Sequence, residues 1–413
     1  MKKLTLKTVL FVALLVQPLR SEAAEIQISA TPGGQVVVPG EGTFSYPDGS
    51  TVNLAAIIID PDYLFSGWGG SLVSAGLVEE PNNPITLFRA GADGTIQALF
   101  TLLRASDSDR TLHVDHSAIG PIYDGTPDHP FLSIQEAIQA AGPGNTVSVA
   151  PGTYLERINF EGKHITVTRA AGPGEPGPYP VIDGGGSGAV VTFDHGEDSR
   201  AQLMGFMITN GNDPLDGAGI NCIASSPTIR NCIITGNRGN GLFFLGSTAT
   251  LSNCTITGNG GKGLGCGLFT FISPKLKVSN TLLWDNIPVD LKVAHGEWPE
   301  LLFSNYGNGP LGPGSVRVDP LFARPGQWIH EADQSPATDP FLPDTVWVPG
   351  DYHLRSQTGR WNPETLTWSQ DNTHSPVIDA GDPTDSADAE PLPNGALINM
   401  GGYGGTEQAS QSL

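Results

Sequence analysis

Two periods of apolar residues organise the chain. Between residues 25 and 103, short β-prone runs (Gln35–Val38, Thr51–Ala56 and Thr95–Phe100) are separated by Pro, Gly and Asp at turns. Beyond residue 112 apolar and polar positions alternate again, through Val147 and Val149, then Ile158, Phe160, Ile165 and Val167. One segment breaks this strand pattern. Ile134, Ala137, Ile138 and Ala141 recur at helical spacing behind Ser133-Ile-Gln-Glu136, a capping box, and Gly142-Pro143 follows. This predicts one helix over 133–141.

A repeat then dominates. Asn231-Cys-Ile-Ile-Thr-Gly-Asn237 recurs 22 residues on as Asn253-Cys-Thr-Ile-Thr-Gly-Asn259. Weaker copies begin at Gly205 and Asn280, and Gly-apolar steps recur at Gly219, Gly241 and Gly267. A unit of about 22–27 residues made of short strands cannot bury its own apolar face, whereas stacked coils can, with strands about 4.8 Å apart. The pattern predicts an all-β right-handed parallel β-helix. Ile234 and Ile256 stack inside it, Asn231 lies over Asn253, and the recurring Asn residues form an amide ladder at a bend. A leucine-rich repeat shares the period but needs a Leu ladder that this chain lacks. The helix at 133–141 is expected to plug the open N-terminal end.

Composition narrows the class. The 413 residues include 53 Gly and 34 Pro, too many for a helical bundle, and the net charge of −21 argues against a phosphate-tracking nucleic-acid binder. Lys2, Lys3 and Lys7, followed by the apolar run Val9–Val16, read as a signal peptide over 1–23, too short to span a bilayer. The expected product is a secreted, extracellular or cell-surface monomer with no membrane span.

Two resemblances follow from specific motifs. Residues 25–103, with Tyr46, Gly49, Asp60, Phe65-Ser-Gly-Trp-Gly-Gly70 and Asp93 to Phe100, resemble the divergent internalin-type B-repeat, a small β-grasp-like module. That resemblance implies a spacer or adhesion domain, joined by a linker at 104–111, with Trp68 packed under a tight turn. Residues 112–410 resemble secreted β-helix proteins of the pectin-lyase-like superfamily. The carriers are Pro130 to Ile138, Val149-Ala-Pro-Gly-Thr-Tyr154, Ser375 to Pro383 and Asn399-Met-Gly-Gly-Tyr-Gly-Gly-Thr406. They imply a β-helix over 112–310 and an irregular C-terminal capping region over 311–413. The fold hosts hydrolases, lyases, epimerases and pure binders, so chemistry has to come from the site.

The paired-carboxylate motifs of polygalacturonase-type hydrolases are missing, as is the Trp-Ile-Asp-His signature of pectate lyases. One constellation fits a polyuronate lyase. Asp213 and Asp216 offer a calcium site, and Arg238 and Lys262, expected in successive stacked turns, offer a base for the C5 proton. Six of the seven Trp lie between 284 and 368. Of these, Trp328, Trp347, Trp361 and Trp368 are candidates to stack on sugar rings, the alternative being that they cap the solenoid. Cys222, Cys232, Cys254 and Cys266 all sit in the repeat; Cys232 and Cys254, in register about 4.8 Å apart, come within disulfide range, and a buried thiol stack is the preferred reading over that bridge. The leading expectation is a non-catalytic protein that binds or spaces an extracellular polysaccharide or cell-surface glycan. The alternative is a lyase or epimerase acting on polyuronate.

Overall fold

The computed structural model describes residues 23–59, 63–102, 110–170, 177–260, 266–273, 276–342 and 344–412. The chain divides into two compact units, Met1–Leu103 and Arg104–Leu413.

The first unit packs a four-stranded sheet, in which Ala24–Ala30 pairs in parallel with Gly94–Leu102, beside a three-stranded antiparallel sheet. Its core includes Ile26, Ile28, Leu54, Phe88 and Ile96. Trp68 is buried there, and its indole Nε1 donates to Asn83 O at 2.9 Å, so the residue is structural.

The second unit is a parallel β-helix of three sheets, with seven, six and eight strands. Sheet A runs from Thr153–Leu155 through Ile233–Thr235 and Thr255–Thr257 to Asn305–Tyr306. Sheet B runs from Ile158–Asn159 to Leu291–Gly296, and sheet C from Thr111–Val114 to Glu300–Leu302. The pleat sends alternate side chains inward. Ile234 pairs in register with Ile256, and both are fully buried in a core that also holds Leu203, Phe206, Leu251 and Leu283. Helix Ile134–Ala140 packs on the strands of the first coil, with Ile134, Ala137 and Ile138 buried. Ser133 accepts from Glu136 N, but the N–H groups of Ile134 and Gln135 go to the Glu156 carboxylate. Lys163 Nζ closes the other end on the carbonyls of Ile138, Gln139 and Ala141.

The recurring asparagines divide into two classes. Asn237, Asn259 and Asn286 are buried and form the ladder, Asn237 Nδ2 donating to Asn259 Oδ1 at 2.8 Å and Asn259 Nδ2 to Asn286 Oδ1 at 3.0 Å. Asn231, Asn253 and Asn280 adopt left-handed backbone (φ 50, 49 and 50°), which Asn tolerates better than most residues. Asn253 and Asn280 are buried as well, Asn280 Nδ2 donating to Asn253 Oδ1 at 3.4 Å, and the side chains of all three meet residues between 382 and 404. The four cysteines are free and buried. Cys232 Sγ donates to Arg230 O and Cys254 Sγ to Ser252 O, and burial pushes the Cys232 thiol up to about 12.

Candidate functional site

The outward face of sheet A is not open to solvent along its length. Residues 319–412 fold over its middle as a clasp, burying Ile233 and Leu282 against Phe322, Tyr352, Leu354, Val377 and Met400. Polar contacts fix the register. Thr235 Oγ1 meets Tyr352 OH at 2.8 Å, and Gly402 N donates to Thr255 Oγ1 at 2.9 Å. Asn231 Nδ2 donates to Gly404 O, Asn253 Nδ2 to Asn399 O, and Asn280 Nδ2 to Asp385 Oδ2. The C-terminal aromatic residues thus lie along the flank of the solenoid.

Within the clasp, Gln327–His330 and Thr345–Val348 form an antiparallel hairpin with Trp328 opposite Trp347. Trp328 is 5% exposed and donates from Nε1 to Gly258 O at 3.0 Å. Trp347 lies on Gly236 and Gly258, where an added Cβ would come within 2.2 and 2.0 Å of the indole. Both glycines have positive φ, 64 and 65°. Gly258→Ala is therefore expected to push the Trp347 ring off the coil at a cost of about 1–3 kcal/mol. Tryptophan fluorescence would report the displacement, and an unchanged spectrum and midpoint would contradict this seating.

Beside the hairpin lies a groove of about 340 Å³. One wall is the outward face of sheet A, with Thr153, Asp183, Thr209 and Asn210; the other carries Arg238, Trp328 and Trp347. Asp183 Oδ1 accepts from Gly185 N and from Asn210 Nδ2, which holds the carboxylate in place. Arg238 donates from Nε to Pro340 O at 2.9 Å and from a terminal nitrogen to Thr345 O, and lies over the Trp328 ring at 5.3 Å. These bonds anchor the guanidinium, and burial lowers its pKa below the ordinary arginine value. The groove thus presents hydroxyl, amide, carboxylate and guanidinium groups beside the buried Trp328 and half-buried Trp347, a set suited to a polyhydroxylated ligand. A second recess of about 300 Å³ lies on the same flank, lined by Thr257, Trp284, Asp285, Asp319 and Arg355.

Of the lyase constellation, Asp213, Asp216 and Arg238 lie on adjacent strands of sheet B. Asn212 pairs with Arg238 and Asp213 with Gly239 in sheet B, so these positions are strand, not turn. Asp216 N donates to Asp213 Oδ1 at 3.1 Å, and burial together with Asp213 raises the Asp216 carboxyl above its usual range. Among the described residues no group of three His, Cys, Asp or Glu side chains is placed to hold a metal ion. The described hydrogen bonds of Arg238 lead to the clasp, and Lys262 lies outside the described residues. The four candidate tryptophans also separate. Trp328 and Trp347 line the groove, whereas Trp361 and Trp368 face each other across the hairpin Arg360–Asn362 and Thr367–Ser369, their rings edge-on at 5.8 Å. Trp361 is 8% exposed and Trp368 38%. Thr153, Asp183, Thr209 and Asn210 escaped the sequence reading. Their only signal was the outward phase of the alternation around Tyr154, Ile182 and Ile208.

Residues 197–294 match the family model described as "Right handed beta helix region". The second unit is a right-handed parallel β-helix. Among solved structures, the crystal structure of pectate lyase Pel9A is similar at 14% identity and a TM-score of 0.32, covering 71% of this chain and 96% of that one. At that distance the lyase activity stays with that protein. No curated protein sequence matches the chain. No helix among the described residues is long and apolar enough to cross a membrane.

Proposed function

We propose that this protein is exported and binds an extracellular polysaccharide, without cleaving it, in the groove between sheet A and the Trp328–Trp347 hairpin, with the B-repeat-like first unit as a spacer. The observation that carries this reading is the groove itself, where indole faces, Arg238 and the hydroxyl, amide and carboxylate groups of sheet A converge. Sugar C–H faces pack on aromatic rings while hydroxyls exchange hydrogen bonds with such polar groups. The volume of about 340 Å³ suits a short stretch of a glycan chain. Arg238, already anchored, supplies positive charge for a uronate carboxylate, which favours an acidic glycan.

Affinity electrophoresis of the full chain against polyuronate, neutral and sulfated glycans tests this. Retardation by an acidic glycan is expected, weakened roughly tenfold or more, about 1.4 kcal/mol, by Asp183→Asn combined with Thr209→Val. Retardation unchanged in that variant would place binding elsewhere. Release of an ultraviolet-absorbing unsaturated product from a polyuronate would overturn the non-catalytic reading in favour of a lyase.

A further inference from the structure

Two cavities open on one outward column of sheet A. The column runs through Asp183, Thr209, Thr235, Thr257 and Trp284, one residue per coil. Asp183 pairs with Thr209, Thr235 with Thr257, and Thr257 with Trp284. Met207 and Ile208 pair with Ile233 and Ile234, which sets Thr209 beside Thr235. The groove takes the first two positions and the recess of about 300 Å³ the last two. Thr235, between them, is capped by Tyr352 OH at 2.8 Å. At one strand spacing per coil, Thr209 and Thr257 lie about 10 Å apart, and the column from Asp183 to Trp284 spans about 19 Å.

The recess repeats the chemistry of the groove. Thr209, Asp183, Trp347 and Arg238 in the groove have counterparts in Thr257, Asp319, Trp284 and Arg355 in the recess. Arg355 differs from Arg238 in being free. Its backbone is pinned, N donating to Leu321 O at 3.0 Å and O accepting from Ser375 N at 2.9 Å. Among the described residues no hydrogen bond or ion pair takes up its guanidinium. A half-buried guanidinium with its donors free suits a carboxylate, which accepts two parallel N–H bonds. Asp285 and Asp319 stand at the same recess but are exposed, where water screens their charge and leaves them to accept sugar hydroxyls. Between the cavities the clasp presents two exposed prolines, Pro349 on the groove side and Pro325 on the recess side. Gly350 brings them together, since a Cβ there would lie 2.7 Å from Pro325 C. A proline has no backbone N–H, so a sugar ring can cross this ridge without leaving a donor unpaired.

We propose that the Arg355 recess is a second carboxylate subsite, and that one acidic glycan chain runs across the strands of sheet A from the groove, over the proline ridge, into the recess. This rests on the reading of the groove as a glycan site. The span of about 19 Å exceeds a mono- or disaccharide. An extended uronate chain turns the carboxylates of alternate residues to one side, at an interval close to that between Thr209 and Thr257. The ligand is thus an internal stretch of polyuronate several sugars long.

Titration calorimetry of the full chain with a trimer and a hexamer of galacturonate, and the same pair of mannuronate, tests this. In the series that binds, one hexamer per chain is expected, held about tenfold or more tighter than the trimer, because the second contact becomes intramolecular. Arg355→Gln is expected to remove that gain and leave trimer binding at the groove unchanged, whereas Arg355→Lys keeps the charge and retains part of it. Arg355 has no side-chain partner to lose, so both variants should keep the parental thermal midpoint. A hexamer no tighter than the trimer, or a gain that survives Arg355→Gln, would overturn the second subsite and leave the groove reading intact. A neutral glucan hexamer showing the same gain would overturn the carboxylate assignment. A chain that binds neither uronate series, or trimer binding indifferent to Asp183→Asn with Thr209→Val, would strike the groove reading itself and the subsite with it.

Discussion

Asn259→Ala is expected to destabilise the β-helix by about 3–6 kcal/mol, read as a lowered midpoint of chemical denaturation. The side chain sits at the centre of the buried ladder. Its Oδ1 accepts from Asn237 N and Nδ2, and its Nδ2 donates to Ile234 O at 2.8 Å and to Asn286 Oδ1 at 3.0 Å. Alanine leaves several of these groups buried and unpaired at once, and each orphan costs about 1–3 kcal/mol. Water has no ready route to them, because Asn237 and Asn259 are fully buried. Asn231→Ala is the informative control. It removes bonds to Gly402 O and Gly404 O at the clasp but leaves the ladder whole, so its effect should be smaller. Equal effects of the two substitutions would show that the inner ladder has no special weight.

Ile256→Ala is expected to cost about 2–5 kcal/mol with an unchanged denaturant slope. Ile256 is fully buried between Ile234 in the coil before and Leu283 in the coil after. The lost transfer energy is joined by a cavity, because the backbones on both sides are pinned by parallel pairing and cannot collapse into the gap. A neutral result would mean that this position faces solvent and that the inward phase of the strand is inverted.

The groove illustrates how far a linear reading reaches. Trp328 and Trp347 stand out by residue type, and Arg238 by its place after the Asn237 motif. Their roles differ from a simple reading because each is held by a distant partner: Trp328 by Gly258, Trp347 by Gly236 and Gly258, and Arg238 by Pro340 and Thr345. Gly236 and Gly258 look like ordinary turn glycines in the sequence. In the folded chain their missing side chains also make the flat seat for an indole. The helix at 134–140 teaches the same lesson on a smaller scale. Its amphipathic face and Ser133 cap are local and legible, whereas Glu156 and Lys163 become caps only once the next coil has passed beneath it.

What the sequence determined by itself was the axial repeat. The spacing from Asn231 to Asn253, the alternation around Ile234 and Ile256, and the glycine-rich bends specify stacked coils, because backbone pairing at one strand spacing imposes the same requirement on each turn. The tertiary structure alone decided which asparagine of each motif turns inward and which outward. Both recur at the same interval, and only the left-handed backbone at Asn231, Asn253 and Asn280 and the clasp carbonyls and Asp385 carboxylate that receive them separate the two. It alone decided too that the outward face of sheet A becomes half core and half groove. Thr153, Asp183 and Thr209 would be solvated strand residues until a hairpin more than a hundred residues downstream closes beside them. Periodicity is a local property that every coil restates, whereas the docking of the clasp is a single long-range event encoded by contacts with no period.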